Sequence, residues 1–261
     1  MSSFFADKEN FVNIGLQKEA VVFYELTDST NTRARDAFLF GEAAAPMLFV
    51  ADGQSAGRGT RGRSFESQAG RGLYLSLLIP ESILSIDADY ITPVAAAALL
   101  SALLPLIDGS DKSPFIKWVN DIYIGDKKIA GILTERCVAR DRAAYIIGIG
   151  INLYGSDFSP ELKATAASVE QMTGRRVDRA ELLLRTVKKL IDALVNRESE
   201  ELLTLYRDRS LPEGTPVTVY RAGYEKREAR VIGLDEKMRL TVEYGDGSRE
   251  SLISADLRIK L

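Results

Sequence analysis

The chain has 261 residues, of which 46% are hydrophobic and 27% are charged, so it can bury a substantial core and is not of the disordered class. A net charge of −3 excludes a globally basic surface for nucleic acid or anionic lipid, and no apolar run is expected to approach membrane-spanning length. The chain has no histidine and one cysteine, Cys137, which excludes nucleophile–histidine pairs, histidine metal sites and an internal disulfide. We therefore expect a cytoplasmic protein whose chemistry uses lysine, arginine, carboxylates and backbone amides.

The first elements along the chain are a short, partly helical lead-in over residues 1–20 and a strand over Val21–Leu26. Asp28-Ser-Thr-Asn-Thr32 follows, and its hydroxyl and amide side chains can cap a helix that runs to Phe40. Because the free N–H groups of a helix N-terminus also bind polar or anionic groups, this segment is either a plain cap or part of a binding site.

A loop rich in glycine and arginine, Gly53-Gln-Ser-Ala-Gly-Arg-Gly-Thr-Arg-Gly-Arg63, lies between two predicted strands, Met47–Ala51 and Gly72–Ile79. Glycine lets backbone N–H groups turn toward a ligand and arginine offers forked donors, so this loop is suited to close over an anion. It lacks the Gly-Lys-Ser/Thr sequence and the following helix of a P-loop. The alternatives are a mobile surface linker and a short segment that contacts nucleic acid.

The middle of the chain predicts a helix that starts at Thr92-Pro93 and ends near Leu104, followed by a β-hairpin and one more strand. The hairpin has its turn at Gly125-Asp126 and its return strand over Lys128–Glu135. The strand after it spans Ala144–Leu153, and its glycines permit a close backbone approach.

Lys117 lies in the run Phe115–Val119, which otherwise predicts a buried strand. A buried, unpaired lysine is destabilising, and such a residue is retained where its ammonium group meets a phosphate or a carboxylate. A lysine on a solvated strand face is the alternative, although the adjacent Asn120-Asp121 and the nearby Lys127-Lys128 form a polar cluster that favours a site. Asp121 is a weak candidate for a Mg²⁺ ligand, and it is equally able to bond only backbone groups at the strand end.

Towards the C-terminus, Asp178-Arg-Ala-Glu181 resembles a capping box, and the apolar stripe from Leu183 to Leu194 has the helical spacing of core packing. After Leu211 short strands alternate with turns, which indicates a small antiparallel β-barrel. We therefore expect a catalytic domain over residues 1–211 and a small β-barrel over 212–261. The predicted barrel strands are Val217–Tyr220, Arg227–Gly233, Leu240–Tyr244 and Arg249–Ile253.

Four segments in this order resemble the biotin protein ligases, and the resemblance runs from about Val21 to the C-terminus. The segments are Ser29-Thr-Asn31, Gln54–Arg63, Lys117-Trp-Val-Asn-Asp121 with Lys128-Ile-Ala-Gly-Ile-Leu133, and Gly148-Ile-Gly-Ile-Asn152. The resemblance implies an α+β fold, with a mixed-sheet biotin/lipoate ligase-like catalytic domain followed by a small Src-homology-type β-barrel. Since no DNA-binding domain is expected ahead of the first segment, it implies the ligase-only kind.

The implied activity joins biotin to ATP, giving biotinyl-5′-adenylate and pyrophosphate, and then transfers biotin to a lysine of a biotin carboxyl carrier protein. Mg²⁺ is the implied cofactor. The expected partners are biotin, ATP and the carrier protein, with no DNA and no membrane, and a homodimer is one of the two oligomeric states that the family shows.

The same resemblance assigns roles to individual residues. Lys117 and Arg58 are the implied catalytic residues, and Lys117 would bridge the carboxylate of biotin and the α-phosphate of ATP. The implied biotin-binding residues are Ser29, Thr30, Asn31, Gln54, Arg58, Gly59, Thr60 and Lys117. The implied nucleotide-binding residues are Arg61, Arg63, Phe65, Lys117, Asn120 and Asn152.

Three departures from the family pattern stand at the expected site. Thr60 replaces a usual arginine, Val119 replaces a usual proline, and Ser64-Phe65 replaces a basic residue and a tryptophan. Phe65 still offers an aromatic face for adenine.

Three other functions compete with the biotin ligase interpretation. The lipoate and octanoate ligases and transferases share the fold, but their Arg-Arg-x-Ser-Gly-Gly-Gly motif is absent from this sequence. A non-catalytic biotin- or carrier-binding module is a second alternative, which the loss of Lys117 would have favoured. A nucleic-acid binder is the third, and the acidic net charge argues against it.

Overall fold

The computed structural model describes residues 9–41, 45–221, 225–253 and 256–259. The strands within these ranges form two sheets, one of seven strands and one of five. The part of the lead-in that is described contains one short helix, α1 (Glu9–Val12), and a 3₁₀ turn over Lys18–Ala20.

The large sheet has the strand order β1-β2-β3-β7-β6-β5-β4 and is mixed. Only β1 and β2 are parallel neighbours, and helix α2 supplies the crossover that parallel strands require. Every other neighbouring pair is antiparallel. The strands are β1 (Val21–Thr27), β2 (Met47–Gln54), β3 (Gly72–Pro80), β4 (Pro114–Lys117), β5 (Asp121–Ile124), β6 (Lys127–Ala139) and β7 (Arg142–Asn152).

Helices cover the sheet on both faces, so β3 at its centre is buried along its whole length. A smaller apolar cluster packs α2 against β2, β3 and β7 around Phe38, and the main core includes α3 and α6 on the sheet. The apolar stripe from Leu183 to Leu194 is buried in α6, as predicted. The helices are α2 (Thr30–Leu39), α3 (Ile91–Leu103), α4 (Pro160–Lys163), α5 (Val169–Thr173), α6 (Arg179–Leu194) and α7 (Glu200–Asp208).

The expectation about membrane-spanning length was wrong for one segment. The continuous helical run Ala88–Leu106, which contains α3 and its flanking 3₁₀ turns, is long and apolar enough to cross a membrane. In this fold α3 is a core helix, because eleven of its thirteen residues are buried. Most of them are alanine and leucine, which explains how a helix enclosed by protein reaches the composition of a membrane span.

Two predicted helix starts differ from the structure in an informative way. Ser29 stands at the N-cap of α2, but its side chain makes no capping hydrogen bond. Helix α3 begins at Ile91 rather than at Thr92-Pro93, and the Thr92 hydroxyl donates to Thr134 Oγ1 of β6 at 2.8 Å. At α3 the threonine hydroxyl therefore bonds a neighbouring strand instead of its own helix. At α6, by contrast, the predicted cap is confirmed, since Asp178 accepts a hydrogen bond from the Glu181 N–H.

The small sheet is antiparallel, with the order β11-β10-β9-β8-β12. It packs against the large domain, where the Trp118 indole N–H donates to the Met238 carbonyl at 2.9 Å. The predicted fold class is confirmed, and β12 is a strand that the sequence pattern missed. The division at residues 211 and 212 stays a prediction. The strands are β8 (Pro216–Tyr220), β9 (Arg227–Leu234), β10 (Leu240–Tyr244), β11 (Arg249–Leu252) and β12 (Asp256–Ile259).

Candidate active site

Two adjoining cavities open along one side of the large sheet. The first, here called the narrow cleft, encloses about 430 Å³ including its open mouth. Its walls come from the N-terminus of α2, the loop after β2, and strands β6 and β7. Seven of the residues expected to bind biotin line it: Ser29, Thr30, Asn31, Gln54, Arg58, Gly59 and Thr60.

The polar residues of the narrow cleft are tied to one another by hydrogen bonds. Ser76, fully buried in β3, lies 2.6 Å from Asn31 Oδ1 and 2.7 Å from Thr30 Oγ1. Gln54 Oε1 accepts from the Thr30 N–H at 2.8 Å, and the Gln54 amide group donates to Ser67 Oγ at 2.8 Å. The orientation of each amide and hydroxyl group is therefore set before a ligand arrives.

The charge of Asp28 is stabilised at the point where α2 enters the cleft. Burial raises the pKa of its carboxyl group, but hydrogen bonds from the Ser29 N–H and from Arg33 outweigh burial and hold that pKa below its usual value. An ionised carboxylate beside a helix N-terminus interacts favourably with the helix dipole. Asp28 bonds the N–H of the N-cap residue, whereas the first N–H of α2, that of Thr30, is bonded by Gln54. Ser29 lines the cleft.

Two glycines of β7 bring the backbone close to these side chains. A Cβ atom at Gly148 would lie 2.1 Å from Asn31 Oδ1, and one at Gly150 would lie 2.7 Å from the Phe65 ring. Residues two apart on a strand point to the same face, so both glycines leave room on the cleft side. The predicted close approach to the backbone of this strand is therefore confirmed, and the groups that approach it are the side chains of Asn31 and Phe65.

The second cavity, here called the wide cavity, encloses about 1410 Å³ including open solvent and reaches the small sheet at Tyr220 and Arg258. Lys117 lines it, with its Nζ 3.5 Å from the Tyr123 hydroxyl and 5.1 Å from the centre of the Tyr123 ring. Burial, with the Asp121 charge adding to it, raises the pKa of Tyr123 to about 12, so that phenol stays protonated at neutral pH. Arg63, Asp121 and Asn152 are further lining residues that the sequence predicted.

A wall of five residues is common to both cavities: Gly59, Thr60, Phe65, Asn120 and Lys128. Lys128 Nζ lies 2.6 Å from Asp121 Oδ1 and 5.9 Å from the centre of the Phe65 ring. The Asn120 amide group donates to the Ile132 carbonyl at 2.9 Å, which fixes it on β6. A ligand that spans both cavities must pass the Lys128 ammonium group.

The predicted site residues divide between the two cavities. Lys117 lines the wide cavity and not the narrow cleft, and its expected contact with biotin stays a prediction. Arg61 has a positive φ of 58° and is exposed, and among the predicted residues that the structure describes it is the one that lines neither cavity.

Two residues with prominent positions were not predicted as site residues. They are Ser76 beneath the cleft and Glu135, whose carboxylate holds the Arg58 guanidinium group. Lys128 in the shared wall was predicted to lie in the polar cluster near Lys117, and it opens the Lys-Ile-Ala-Gly-Ile-Leu segment, but the sequence assigned it no role of its own. A lone serine in the apolar strand β3 was a weaker signal for Ser76.

The chain is similar to several known proteins in sequence and in fold. Residues 23–152 match the model of the Biotin/lipoate A/B protein ligase family. The chain is 32% identical over 265 residues to the bifunctional ligase/repressor BirA of Bacillus subtilis, covering 96% of this chain and 78% of that protein. It is 27% identical over 232 residues to the biotin–[acetyl-CoA-carboxylase] ligase of Mycobacterium tuberculosis, covering 88% of this chain and 84% of that protein.

Among solved structures, the chain is similar to the biotin protein ligase from Aquifex aeolicus in complex with biotin and ATP. That match has a TM-score of 0.76 at 27% sequence identity and covers 92% of this chain and 98% of the other. A structure of the ligand-free form of the same Aquifex aeolicus protein matches with a TM-score of 0.72 at 25% identity.

Proposed function

This chain belongs to the biotin/lipoate A/B protein ligase family, and we propose that it is an enzyme that activates biotin with ATP and attaches it to a carrier protein. The first step forms biotinyl-5′-adenylate and releases pyrophosphate. The second step transfers the biotinyl group to the side-chain amine of a lysine in a biotin carboxyl carrier protein and releases AMP.

The observation that carries this proposal is the wall shared by the two cavities. An adenylate-forming reaction needs a site for the acid, a site for the nucleotide and a positive charge where the two reacting groups meet. The narrow cleft, the wide cavity and the Lys128 ammonium group between them have this arrangement. We assign biotin to the narrow cleft and ATP to the wide cavity.

The narrow cleft suits biotin by its two kinds of lining. The ureido ring of biotin has both N–H donors and a carbonyl acceptor. The cleft offers the Ser29 hydroxyl, together with polar groups of Thr30 and Gln54 whose orientations are fixed by hydrogen bonds. Leu75, Ile132 and Ile149 line the same cleft and would contact the apolar ring and chain. A site whose polar groups are already oriented rejects ligands that cannot pair with them.

The chemistry needs charge neutralisation above all. A carboxylate oxygen of biotin attacks the α-phosphorus of ATP, the bond to the pyrophosphate oxygen breaks, and pyrophosphate leaves with the bonding electron pair. Negative charge therefore accumulates between an anionic acid and an anionic nucleotide, which ammonium and guanidinium groups stabilise. We assign the bridging position to Lys128 and the acid side to Arg58. Lys117 and Arg63 contribute on the nucleotide side, with Phe65 against adenine.

Mg²⁺ is expected to arrive with ATP. The residues described contain no group of three or more histidine, cysteine or carboxylate side chains that could hold a metal ion. Mg²⁺ is commonly held through one or two carboxylates together with substrate phosphates, and Asp121 in the wide cavity fits such a single protein ligand. The ion would supply charge neutralisation at the phosphates.

Exchange of labelled pyrophosphate into ATP tests the first step directly. We expect exchange that depends on biotin and Mg²⁺, and none with lipoate or octanoate. Equal exchange with lipoate would move the protein to the sister group of the same fold, and no exchange with any acid would favour a non-catalytic binding module. Transfer is then measured as biotin incorporated into a purified carrier domain.

A further inference from the structure

Glu135 of β6 joins three separate parts of the site through one carboxylate. It accepts two hydrogen bonds from Arg58 of the glycine-rich loop, at 2.9 and 3.1 Å, and one from Arg35 of α2 at 2.6 Å. Its Oε2 also accepts from the Asn31 amide group at 2.9 Å. The Glu135 side chain is only 16% exposed, so these partners hold it in a partly buried setting.

The charges of the two arginines around Glu135 exceed the charge of its carboxylate. Two guanidinium groups meet one carboxylate, so the group of Arg35, Arg58 and Glu135 keeps a net charge of +1. A two-pronged contact between a guanidinium group and a carboxylate fixes the plane of the arginine as well as its position. Arg58 is therefore held in one orientation at the rim of the narrow cleft while its surroundings stay positive.

The glycine-rich loop has few other ties to the sheet near Arg58. At its base, the Gln54 N–H donates to the Ser67 carbonyl, and the Ala56 N–H donates to the Asp28 carbonyl. Beyond Arg58 the bonds from Gly59 to Arg63 and from Arg63 to Thr60 stay inside the loop. The side chain of Arg58 thus joins the loop directly to the carboxylate of Glu135 on β6.

We propose that Glu135 is a positioning residue for biotin binding, which docks the glycine-rich loop through Arg58 and orients the Asn31 amide group. The expected change in KM for biotin rests on the proposed function. The docking of the loop by Glu135 does not depend on that function. Glu135 lines neither cavity and touches no substrate in this arrangement. Its effect reaches biotin only through the groups it holds.

The test compares Glu135→Gln with Glu81→Gln. The matched pair lies one residue further along β6, where Arg136 makes a two-pronged contact with Glu81 at 2.7 and 3.2 Å on the exposed surface. Glu135→Gln should raise KM for biotin in pyrophosphate exchange by about tenfold, with kcat and KM for ATP changed less than about threefold. Glu81→Gln should leave all three constants within about twofold of wild type.

A double-mutant cycle separates positioning from general loss of structure. In the Arg58→Ala background, Glu135→Gln should raise KM for biotin by less than about threefold, because only its contact with the Asn31 amide group is left to lose. The same tenfold rise in both backgrounds, or a wild-type KM in the single variant, would overturn the proposal. If Glu135→Gln does not fold, Glu135→Asp is the second variant. It retains the charge but shortens the side chain by one methylene group, and it should show a smaller rise in KM for biotin.

Limited digestion with trypsin tests the docking without any activity. Cleavage after Arg58, Arg61 and Arg63, followed by mass spectrometry on the ligand-free protein, should be about tenfold faster in Glu135→Gln than in wild type or Glu81→Gln. Equal cleavage rates would show that Glu135 does not hold the loop. A wild-type protein without biotin-dependent exchange would refute the proposed function, and the digestion result would still decide whether the loop is docked by Glu135.

Discussion

The narrow cleft and the wide cavity are built on different principles although they share a wall. In the narrow cleft Ser29, Thr30 and Asn31 are each less than 5% exposed, and neighbouring side chains fix Thr30 and Asn31 by hydrogen bonds. In the wide cavity the lining is basic, aromatic and only partly buried, as at Lys117 and Tyr123. The cleft recognises a ligand by shape and by donor–acceptor pattern, whereas the cavity supplies charge and surface.

This difference predicts different kinds of failure. A fixed network loses function when one member moves, because the remaining buried groups are left without partners. A cavity with several positive groups loses only part of its binding when one is removed. Substitutions in the cleft should therefore change the selection of the acid, and substitutions in the cavity should change the affinity for the nucleotide.

The largest effect is expected where the two regions meet. Lys128→Met keeps the length of the side chain and removes the charge from the shared wall, so it should lower the rate of pyrophosphate exchange by at least about a hundredfold. Lys117→Met removes a charge from the wide cavity alone and should raise KM for ATP by about tenfold with KM for biotin unchanged. Steady-state exchange kinetics with each substrate varied in turn measures both.

The two lysines also test the sequence-based assignment against the structure. If Lys117→Met abolishes exchange in a protein that still melts cooperatively, while Lys128→Met does not, the bridging role belongs to Lys117, as the family resemblance implied. Thermal unfolding of both variants serves as the control, because neither lysine is in the apolar core.

The choice between these lysines illustrates what the sequence could not decide. Both lie in predicted strands of one hairpin, and alternation along a strand assigns faces only while the pairing is regular. The pairing of β5 with β6 shifts between Ile122 and Tyr123, so that one extra residue of β6 enters the ladder at Ile129. A β-bulge turns the side chains that follow it in the strand toward the other face of the sheet. The residue types in this segment do not predict that a bulge is present.

The next largest effects are expected for alanine substitutions at two glycines of β7, which should differ in the ligand that they affect. Gly148→Ala places a methyl group against the buried Asn31 amide, which has no free direction in which to move, so exchange at limiting biotin should fall by about ten- to a hundredfold. Gly150→Ala meets the Phe65 ring of the shared wall instead, which we assign to adenine, and should weaken ATP binding by a smaller factor. Separate titrations of biotin and ATP by calorimetry distinguish the two variants.

Gly148→Ala and Gly150→Ala differ by two residues on one face, so each is the control for the other. Equal losses for both ligands in both variants would mean that the strand itself is displaced. In that case the distinction between a fixed cleft and a tolerant cavity would not hold for β7.

The fold was easier to predict than the connections within the site. Glycines, hydroxyls and arginines marked the loop and the start of α2, because those residue types are unusual beside apolar strands. The contacts of Ser76 and Glu135 with Asn31 join residues 45 and 104 positions apart in the chain. Such contacts depend on which strands become neighbours in the sheet. No local sequence pattern predicts the order β3-β7-β6.

The smallest expected effect concerns Thr60, which replaces the usual arginine in the wall common to both regions. The Thr60 hydroxyl accepts a hydrogen bond from Arg63 at 3.1 Å, and the Thr60 carbonyl accepts another at 3.3 Å, so Arg63 already stabilises this part of the loop. Thr60→Arg gains a charged contact with the adenylate, worth about 1.5–3 kcal/mol in general, but it loses the hydroxyl acceptor and places like charges side by side.

The net gain for Thr60→Arg should therefore lie at the low end of that range, which corresponds to about tenfold slower release of preformed biotinyl-adenylate in the absence of carrier protein. Rapid dilution followed by timed filtration measures the release rate. Thr60→Ser keeps the hydroxyl and should release at the wild-type rate. An unchanged or faster rate in Thr60→Arg would mean that Arg63 already stabilises the loop as the usual arginine would. The shared wall would then retain the adenylate equally well with threonine or arginine at position 60.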